Sequence, residues 1–541
     1  MIKRIVHFAL NQPLFIIFGL VLFIGVGVAA FRSLPIEAFP DVTDTQVTVI
    51  SLYPGRAPEE VEKQVTIPLE IALSGVPNSI RMFSHTQFGL SFIVITFDEK
   101  PSLFVARQLV EERLRGLDLP PGVEPDLAPP ATATGEIFRY RLDAPGLKPT
   151  EMRAIQDWTV ARQIKQVPGI ADVVSFGGPI RQYEVHPNLA KLRDYKLTIG
   201  QLFSALQRAN ANAGGGSVAQ GRQQFLIRSL GLLKSSADIG QVVVAENQGT
   251  PVLVRDLAEV VESRVPEQGI VGISDASGDQ DDVVSGIVLL RKDENPSMAL
   301  DALKAKVDAL NAGGLPPGVQ IIPFYDRSWL ISKTLKTVFS NLLEGAFLVT
   351  LVLYLFLADF RAAGIVASII PLALLGTFIG LSVVGIPANL LSLGAMDFGI
   401  IVDGAVIVIE NIFRRLGESH RDGGHKPQSR TIQEAVVEIG RPTVFSMVII
   451  MVAHLPIFTM QRHEGKIFAP MAYSVVAALI TSLILSLTLV PFLSKIAFKN
   501  HVPHEETKLM HWFMEKYEPA LKWVLANARR VLVVALAALA V

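Results

Sequence analysis

Three carboxylates interrupt one of the most apolar stretches of the chain. Residues 390–412 are almost wholly hydrophobic, yet they include Asp397, Asp403 and Glu410. The run is long enough to cross a bilayer as one helix, which takes ~20 residues. A charged acid at the centre of such a helix costs ~2.5–3.5 kcal/mol on insertion scales, so its presence points to a task. At 100° per residue, Asp403 and Glu410 fall on nearly one face, two turns apart, and Asp397 falls on another. Taking a carboxylate out of water favours its protonated form. The chemistry these residues can do is reversible proton binding inside the membrane. The plainer reading is a buried acid paired with a neighbouring helix and no part in transport. It stays open, more so for Glu410 near one end of the span than for Asp403 near its middle.

The elements that must position these acids follow from composition. Half of the 541 residues are hydrophobic, too many for an ordinary soluble protein, and the length exceeds one domain. The net charge of −1 gives no sign of nucleic-acid binding, and the absence of cysteine excludes disulfides and thiolate zinc sites. Apolar runs predict spans at 13–31, 342–357, 363–384, 390–412, 444–460 and 468–493, with a seventh starting at 531. The first run is too long for a cleavable leader, and no small-residue cleavage site follows it. Lys3 and Arg4 before it favour an inner N-terminus. Counting sides from there places the ~300-residue loop outside and the basic segments 413–443 and 494–530 inside, in accord with the positive-inside rule. Residues 506–525 place Trp512, Phe513 and Trp523 among lysines and read either as an interfacial helix or as a solvated one.

The large loop reads as α+β. Strands are predicted at 46–52, 79–84, 90–97 and 124–127, with helices at 57–74 and 102–117. That is β-α-β-β-α-β, the ferredoxin-like order. A second such unit begins near 136, with strand 137–142, helix 149–166 and strand 171–176. It is completed by strand 283–290, helix 296–311 and strand 319–324. Residues 178–267 are an insertion between its halves, and Gly214–Gly216 predict the turn of a projecting hairpin. The expected domains are 1–31, 32–131, 132–177 with 268–326, 178–267, 327–496, 497–530 and 531–541.

These residues resemble a known family. Its carriers are Leu34-Pro35-Ile36-Glu37-Ala38-Phe39-Pro40-Asp41, Tyr53-Pro54-Gly55-Arg56-Ala57-Pro58-Glu59-Glu60, Phe356-Leu357-Ala358-Asp359-Phe360-Arg361, Arg441-Pro442-Thr443 and Gly465-Lys466-Ile467-Phe468-Ala469-Pro470. Together they resemble the N-terminal half of a resistance–nodulation–division (RND) efflux pump of the heavy-metal branch. Multidrug members usually carry two adjacent aspartates in the fourth span. Here Asp403-Gly404 stands with the second aspartate at Asp397, which is similar to the zinc, cobalt and cadmium pumps; copper and silver pumps usually lack the Asp397 equivalent.

The resemblance implies an α-helical transmembrane bundle with an α+β periplasmic domain of ferredoxin-like porter subdomains. It implies a proton-driven antiporter, not an enzyme, with no resident cofactor. Divalent metal would be the cargo, protons the coupling ion, and Asp397, Asp403 and Glu410 the proton relay. It further implies an inner-membrane homotrimer working with a periplasmic adaptor (membrane fusion) protein and an outer-membrane channel. Family members are about twice as long, so the chain is expected to be a fragment or one chain of a split pump, needing a second half. A copper or silver pump, a multidrug pump and a half-length remnant without transport are the alternatives.

Other candidates are weaker. Glu136 and Asp172 in the second unit could contribute to a periplasmic metal site with ligands from the other half, or be ordinary solvated acids. His186 reads as a structural or surface residue, His420 and His425 as solvated, and Asp275, Asp279, Asp281 and Asp282 as a hydrated turn or, alternatively, a cation funnel. His454 reads as a packed, hydrogen-bonded imidazole or as an accessory to the relay. Met447 and Met451, one turn apart, suit packing more than ligation.

Overall fold

In a medium without water, only a helix satisfies every backbone N–H and C=O within its own segment, so long apolar runs become helices. The computed structural model describes residues 2–540 apart from 38, 230, 248, 268, 277, 395, 397, 422–426 and 500–507. Among the described residues, six helices are long and apolar enough to cross a membrane. They are Pro13–Ser33, Arg327–Phe356, Phe360–Val384, Leu390–His420, Gln428–Phe458 and Arg462–Ala497, called spans 1 to 6 below. Their number matches the expectation; several ends do not. Span 2 starts at Arg327 instead of 342, capped by Asp326 Oδ1 accepting from Ser328 N at 2.8 Å. Span 5 starts at Gln428 instead of 444 and runs through Pro442. Hydropathy marks only the apolar middle of a helix, and the polar flanks here carry no helix breaker strong enough to stop it. A further pair of helices, Lys508–Ala526 and Ala528–Ala540, follows span 6.

The chain divides into two units, Met1–Gly135 with Leu290–Asp301 and Asp326–Val541, and Glu136–Leu289 with Ala302–Tyr325. In the first unit, span 3 is the centre of the bundle. It begins at Asp359, whose Oδ1 accepts from Arg361 N at 2.7 Å and Ala362 N at 3.1 Å, and it ends at left-handed Gly385. Its buried line includes Val366, Ile369, Ile370, Ala373 and Leu381. Gly376 and Gly380 form a Gly-x-x-x-Gly face against span 6. A Cβ on Gly376 would run into the Thr481 side chain, and one on Gly380 would lie 2.6 Å from Ala477 Cβ. Such small-residue faces let backbones approach where lipid offers no hydrophobic drive to associate.

The same unit holds a four-stranded sheet ordered Ser79–Gln87, Leu90–Phe97, Gln46–Leu52, Pro125–Leu127. Gln46–Leu52 alternates between buried and more exposed positions, as a strand with one covered face must. The helices packed on it start at Pro58 and Leu103; Ser102 Oγ accepts from Val105 N at 3.4 Å, the expected N-cap. Val47, Val49, Ile93, Ile95, Val61, Val65, Leu69 and Val110 form the core between them.

The second unit holds another four-stranded sheet, ordered Gln320–Asp326, Glu136–Asp143, Ser285–Leu290, Ile170–Phe176. Gly286 pairs with Tyr140, and a Cβ there would run into the ring, so glycine admits the tyrosine. The buried Tyr140 hydroxyl is satisfied by Gln156, whose Nε2 donates to it at 2.9 Å. Between the second and third of these strands in sequence lies a separate antiparallel pair, Arg181–Pro187 with Ala258–Arg264. The hairpin also forms, as Ala213–Gln220 with Gln223–Ser229, but its turn is not at Gly214–Gly216. Those glycines lie inside the first strand, and left-handed Gly221 makes the turn. Three consecutive glycines signal permissive backbone, which an extended strand can use as well as a turn.

The glycine face gives a direct test. Gly376→Val forces side-chain volume into Thr481, and overpacking of this kind costs ~1–3 kcal/mol. The expected outcome is a fall of several degrees in the thermal unfolding midpoint in detergent, while Gly364→Ala, where nothing lies within 4 Å, changes little. An unchanged midpoint for Gly376→Val contradicts the packing.

Candidate functional site

Span 4 consists of helices Leu390–Gly394 and Phe398–Arg421. Asp397, the most distinctive of the three acids by sequence, lies outside the described residues. The second helix has two unlike faces. Ile401, Val402, Ala405, Val408, Ile409 and Ile412 are buried against the bundle. Ile400, Asp403, Glu410 and Arg414 are exposed, a stripe at three-, four- and seven-residue spacing. Asp403 and Glu410 therefore share one face, as their spacing requires, and within this chain that face is exposed. The cause is local. Gly404, the residue after Asp403, is where the helix meets its neighbours: a Cβ there would lie 2.9 Å from Met447 Sδ and 3.5 Å from Ser486 Oγ. Turning Gly404 inward turns Asp403 outward. Among the described residues, no hydrogen bond or ion pair holds either carboxylate.

Polar stitches fix the rotation of the helix. Ser482 Oγ on span 6 donates to Ile401 O. Buried Asn411 donates from Nδ2 to Ala435 O on span 5 at 2.8 Å, and its Oδ1 accepts from Arg414 at 2.8 Å. Arg415 donates to both oxygens of Glu438 at 2.9 and 2.8 Å. A bidentate arginine–carboxylate pair sets orientation as well as spacing. At the other end, Asn389 and Ser392 cap the first helix reciprocally: Ser392 N donates to Asn389 Oδ1 at 2.8 Å, and Asn389 N donates to Ser392 Oγ at 3.0 Å.

The structure disperses the remaining candidates. Glu136 is ion-paired with Arg139, and Asp172 with Lys165. The two acids stand on strands of one sheet with strand Ser285–Leu290 between them. No group of three His, Asp or Glu side chains suited to a metal ion occurs among the described residues. His186 is exposed and bonded to Glu184 at 2.9 Å. His420 is exposed, and His425 lies outside the described residues. His454 Nδ1 bonds to Ile450 O at 2.9 Å, one turn back, which is the packed, hydrogen-bonded reading. Asp275 is paired with Arg141 at 2.8 Å, and Asp282 accepts from Gly178 N at 3.2 Å. Met447 is buried against Gly404.

One perturbed acid escaped the reading of the sequence. Glu37, in the segment after span 1, is half-buried; burial, with lesser pushes from Asp41 and Asp293, raises its carboxyl to about 6 although Arg327 pulls it down. Its signal in the sequence is the acid-bearing, proline-framed motif at 34–41.

A profile of the AcrB/AcrD/AcrF family matches residues 5–541. The cobalt-zinc-cadmium resistance protein CzcA of Cupriavidus metallidurans (strain ATCC 43123 / DSM 2839 / NBRC 102507 / CH34) is 38% identical over 548 residues, covering 98% of this chain and 51% of that protein. Protein HelA of Legionella pneumophila is 39% identical over 554 residues, covering 100% of this chain and 52% of its own. A crystal structure of a heavy metal efflux pump (crystal form II) superposes with a TM-score of 0.85 at 38% identity, over 98% of this chain and 51% of the other. The chain thus spans about half the length of the relatives it matches.

Two measurements check this geometry. With Glu136 and Asp172 each neutralised by a basic neighbour, and zinc needing about four ligands, calorimetric titration of this chain with zinc is expected to show no saturable micromolar binding. Saturable binding lost in Asp172→Ala contradicts the ion-paired arrangement. For Glu37, the folded-state value of about 6 lies above the usual 4.5. The folded protein therefore holds this proton more tightly, and the contribution of Glu37 to stability falls as pH rises from about 4.5 to about 6. Wild type should lose thermal stability relative to Glu37→Gln across that window; parallel profiles contradict the burial.

Proposed function

The chain belongs to the AcrB/AcrD/AcrF family of RND transporters, and from that premise we propose that it is half of a proton-driven antiporter that exports divalent heavy-metal cations of the zinc, cobalt, cadmium and nickel class. The observation that carries the reading is the open acidic stripe of span 4. Asp403 and Glu410 share the one face of that helix that its own bundle leaves uncovered. A charged face cannot rest against lipid at low cost. It fits a helix from the remaining half of the pump, with water or protons between. Protonation of Asp403 removes a charge from that seam, and deprotonation restores it. Each state favours a different spacing of the two halves, so the proton gradient biases a two-state equilibrium. Asp397 and Glu410 complete the relay on either side of Asp403. Divalent cargo fits an oxygen- and nitrogen-rich cleft. Glu136 and Asp172 would join it only by exchanging their basic partners for the ion and for ligands from the other half.

The architecture supports the same reading. The two four-stranded sheet orders support the ferredoxin-like reading, in which 32–131, and 132–177 with 268–326, are two porter subdomains and 178–267 is an inserted docking-like subdomain. We assign residues 327–496 to spans 2 to 6, the helix Lys508–Ala526 to the cytoplasm or the inner interface, and the helix Ala528–Ala540 to the start of a seventh span. The protein would sit in the inner membrane of a Gram-negative cell as a homotrimer, its large loop periplasmic. Its partners would be a periplasmic adaptor and an outer-membrane channel.

The test uses the complete pump in a metal-sensitive host. The wild type should raise tolerance to zinc, cobalt and cadmium. Asp403→Asn should return tolerance to that of the empty host at unchanged membrane abundance, and Glu410→Gln should give an intermediate loss. Full tolerance in Asp403→Asn contradicts the proposal.

A further inference from the structure

The segment leaving span 1 and the connection leading into span 4 are joined by a two-residue parallel strand pair, Ile36–Glu37 on Ala388–Asn389. Glu37 stands opposite Asn389, and residues paired across a ladder present their side chains to the same side. Ala388 N also donates to Pro35 O at 3.0 Å. Asn389 is fully buried and caps the short helix Leu390–Gly394 that leads into the Asp403-bearing helix. Its Oδ1 is taken by Ser392 N, but its Nδ2 has no partner among the described residues. A buried amide donor left without a partner is costly, and this one stands beside a carboxylate. Both residues line one cleft of about 520 Å³.

The charges around Glu37 are mixed. Arg327, from the start of span 2, is anchored by donating to Thr134 O and faces Glu37 with its positive charge. Asp41 and Asp293 face it with negative charge. Asp41, although burial pushes it up, is held below the usual carboxylate range by Thr43, Thr132 and Lys292. Lys292 and Glu294 flank Asp293, Glu99 lines the cleft, and Arg462 and Lys466 reach it from the start of span 6. Lys466 is engaged with Thr43 O at 2.9 Å and Asp44 at 3.5 Å. Asp41 stays ionised in this setting, whereas Glu37 is the carboxyl poised to change charge in the mildly acidic range.

We propose that Glu37 is a positioning residue of the transport cycle, whose proton decides whether Asn389 keeps its seat as the cap at the start of span 4. Ionised, Glu37 offers the orphan Nδ2 a charge-assisted acceptor, stronger than the carbonyl of the neutral acid, and draws Asn389 away from Ser392. Protonated and neutral, it leaves the cap in place, and the span that carries Asp403 starts from a fixed end. The inference rests on the antiport reading and adds a proton-sensitive element outside the intramembrane acids.

The experiment is zinc-dependent proton flux by the complete pump in proteoliposomes, with the pH on the Glu37 side varied at a constant pH difference. In the wild type, flux should fall about tenfold per pH unit above a midpoint near 6, as the protonated fraction does. Glu37→Gln, permanently neutral, should remove that limb and keep the low-pH rate. Asn389→Asp keeps the Oδ1 cap but sets a like charge opposite Glu37, and should move the midpoint upward; it tests the idea even if the glutamine variant fails to fold. A wild-type pH profile in either folded variant overturns the inference while leaving antiport intact. Absence of coupled flux in the wild type overturns both.

Discussion

A carboxylate on a helix that crosses lipid must be kept from the hydrocarbon, and this constraint organises the bundle. The helix Phe398–Arg421 meets it by facing inward with everything else. Its buried side is Ile, Val and Ala, with Gly404 pressed against Met447 and Ser486. Ser482, Asn411 and the Arg415–Glu438 pair then lock the rotation. Asp403 and Glu410 are left on the remaining face, within this half uncovered. In the proposed reading, that face is one side of an interface whose other side belongs to the rest of a longer pump.

The locking depends on close backbone approach elsewhere. Span 3 carries Gly376 and Gly380 against Thr481 and Ala477 of span 6, and Gly27 of span 1 lies against Leu375. Side chains there would hold span 3 apart from spans 6 and 1. The far end of span 4 is fixed differently, through backbone pairing of Ile36–Glu37 with Ala388–Asn389 and the Asn389–Ser392 cap. In the proposed cycle, a change of charge at Asp403 acts on a helix held at both ends, with movement directed toward the open face.

Much of this was legible in the sequence, for physical reasons. Apolar length marked the six spans, since hydropathy reports directly on burial in lipid. The alternation of Gln46–Leu52 and the Ser102 cap placed strand and helix to the residue or nearly so. The 100° period put Asp403 and Glu410 on one face. Periodicity could not tell which way that face turns, because the answer lies in Gly404 meeting Met447, a contact between distant segments. Helix ends such as Arg327 and Gln428 were missed because polar flanks continue a helix without any apolar signal. The hairpin turn was misplaced by treating Gly214–Gly216 as a bend when Gly221 makes it. Glu37 passed unread because its burial arises from residues near 290 and 390, far away in sequence.

In the proposed cycle Asp403 takes up and releases a proton each time a metal ion moves. The most direct measurement is simultaneous recording of zinc and proton movement in proteoliposomes holding the complete pump, under an imposed zinc gradient with no initial pH difference. Coupled antiport predicts that zinc running down its gradient drives protons in the opposite direction, creating a pH difference that vanishes in Asp403→Asn. Zinc moving without any opposing proton movement in the wild type would contradict it.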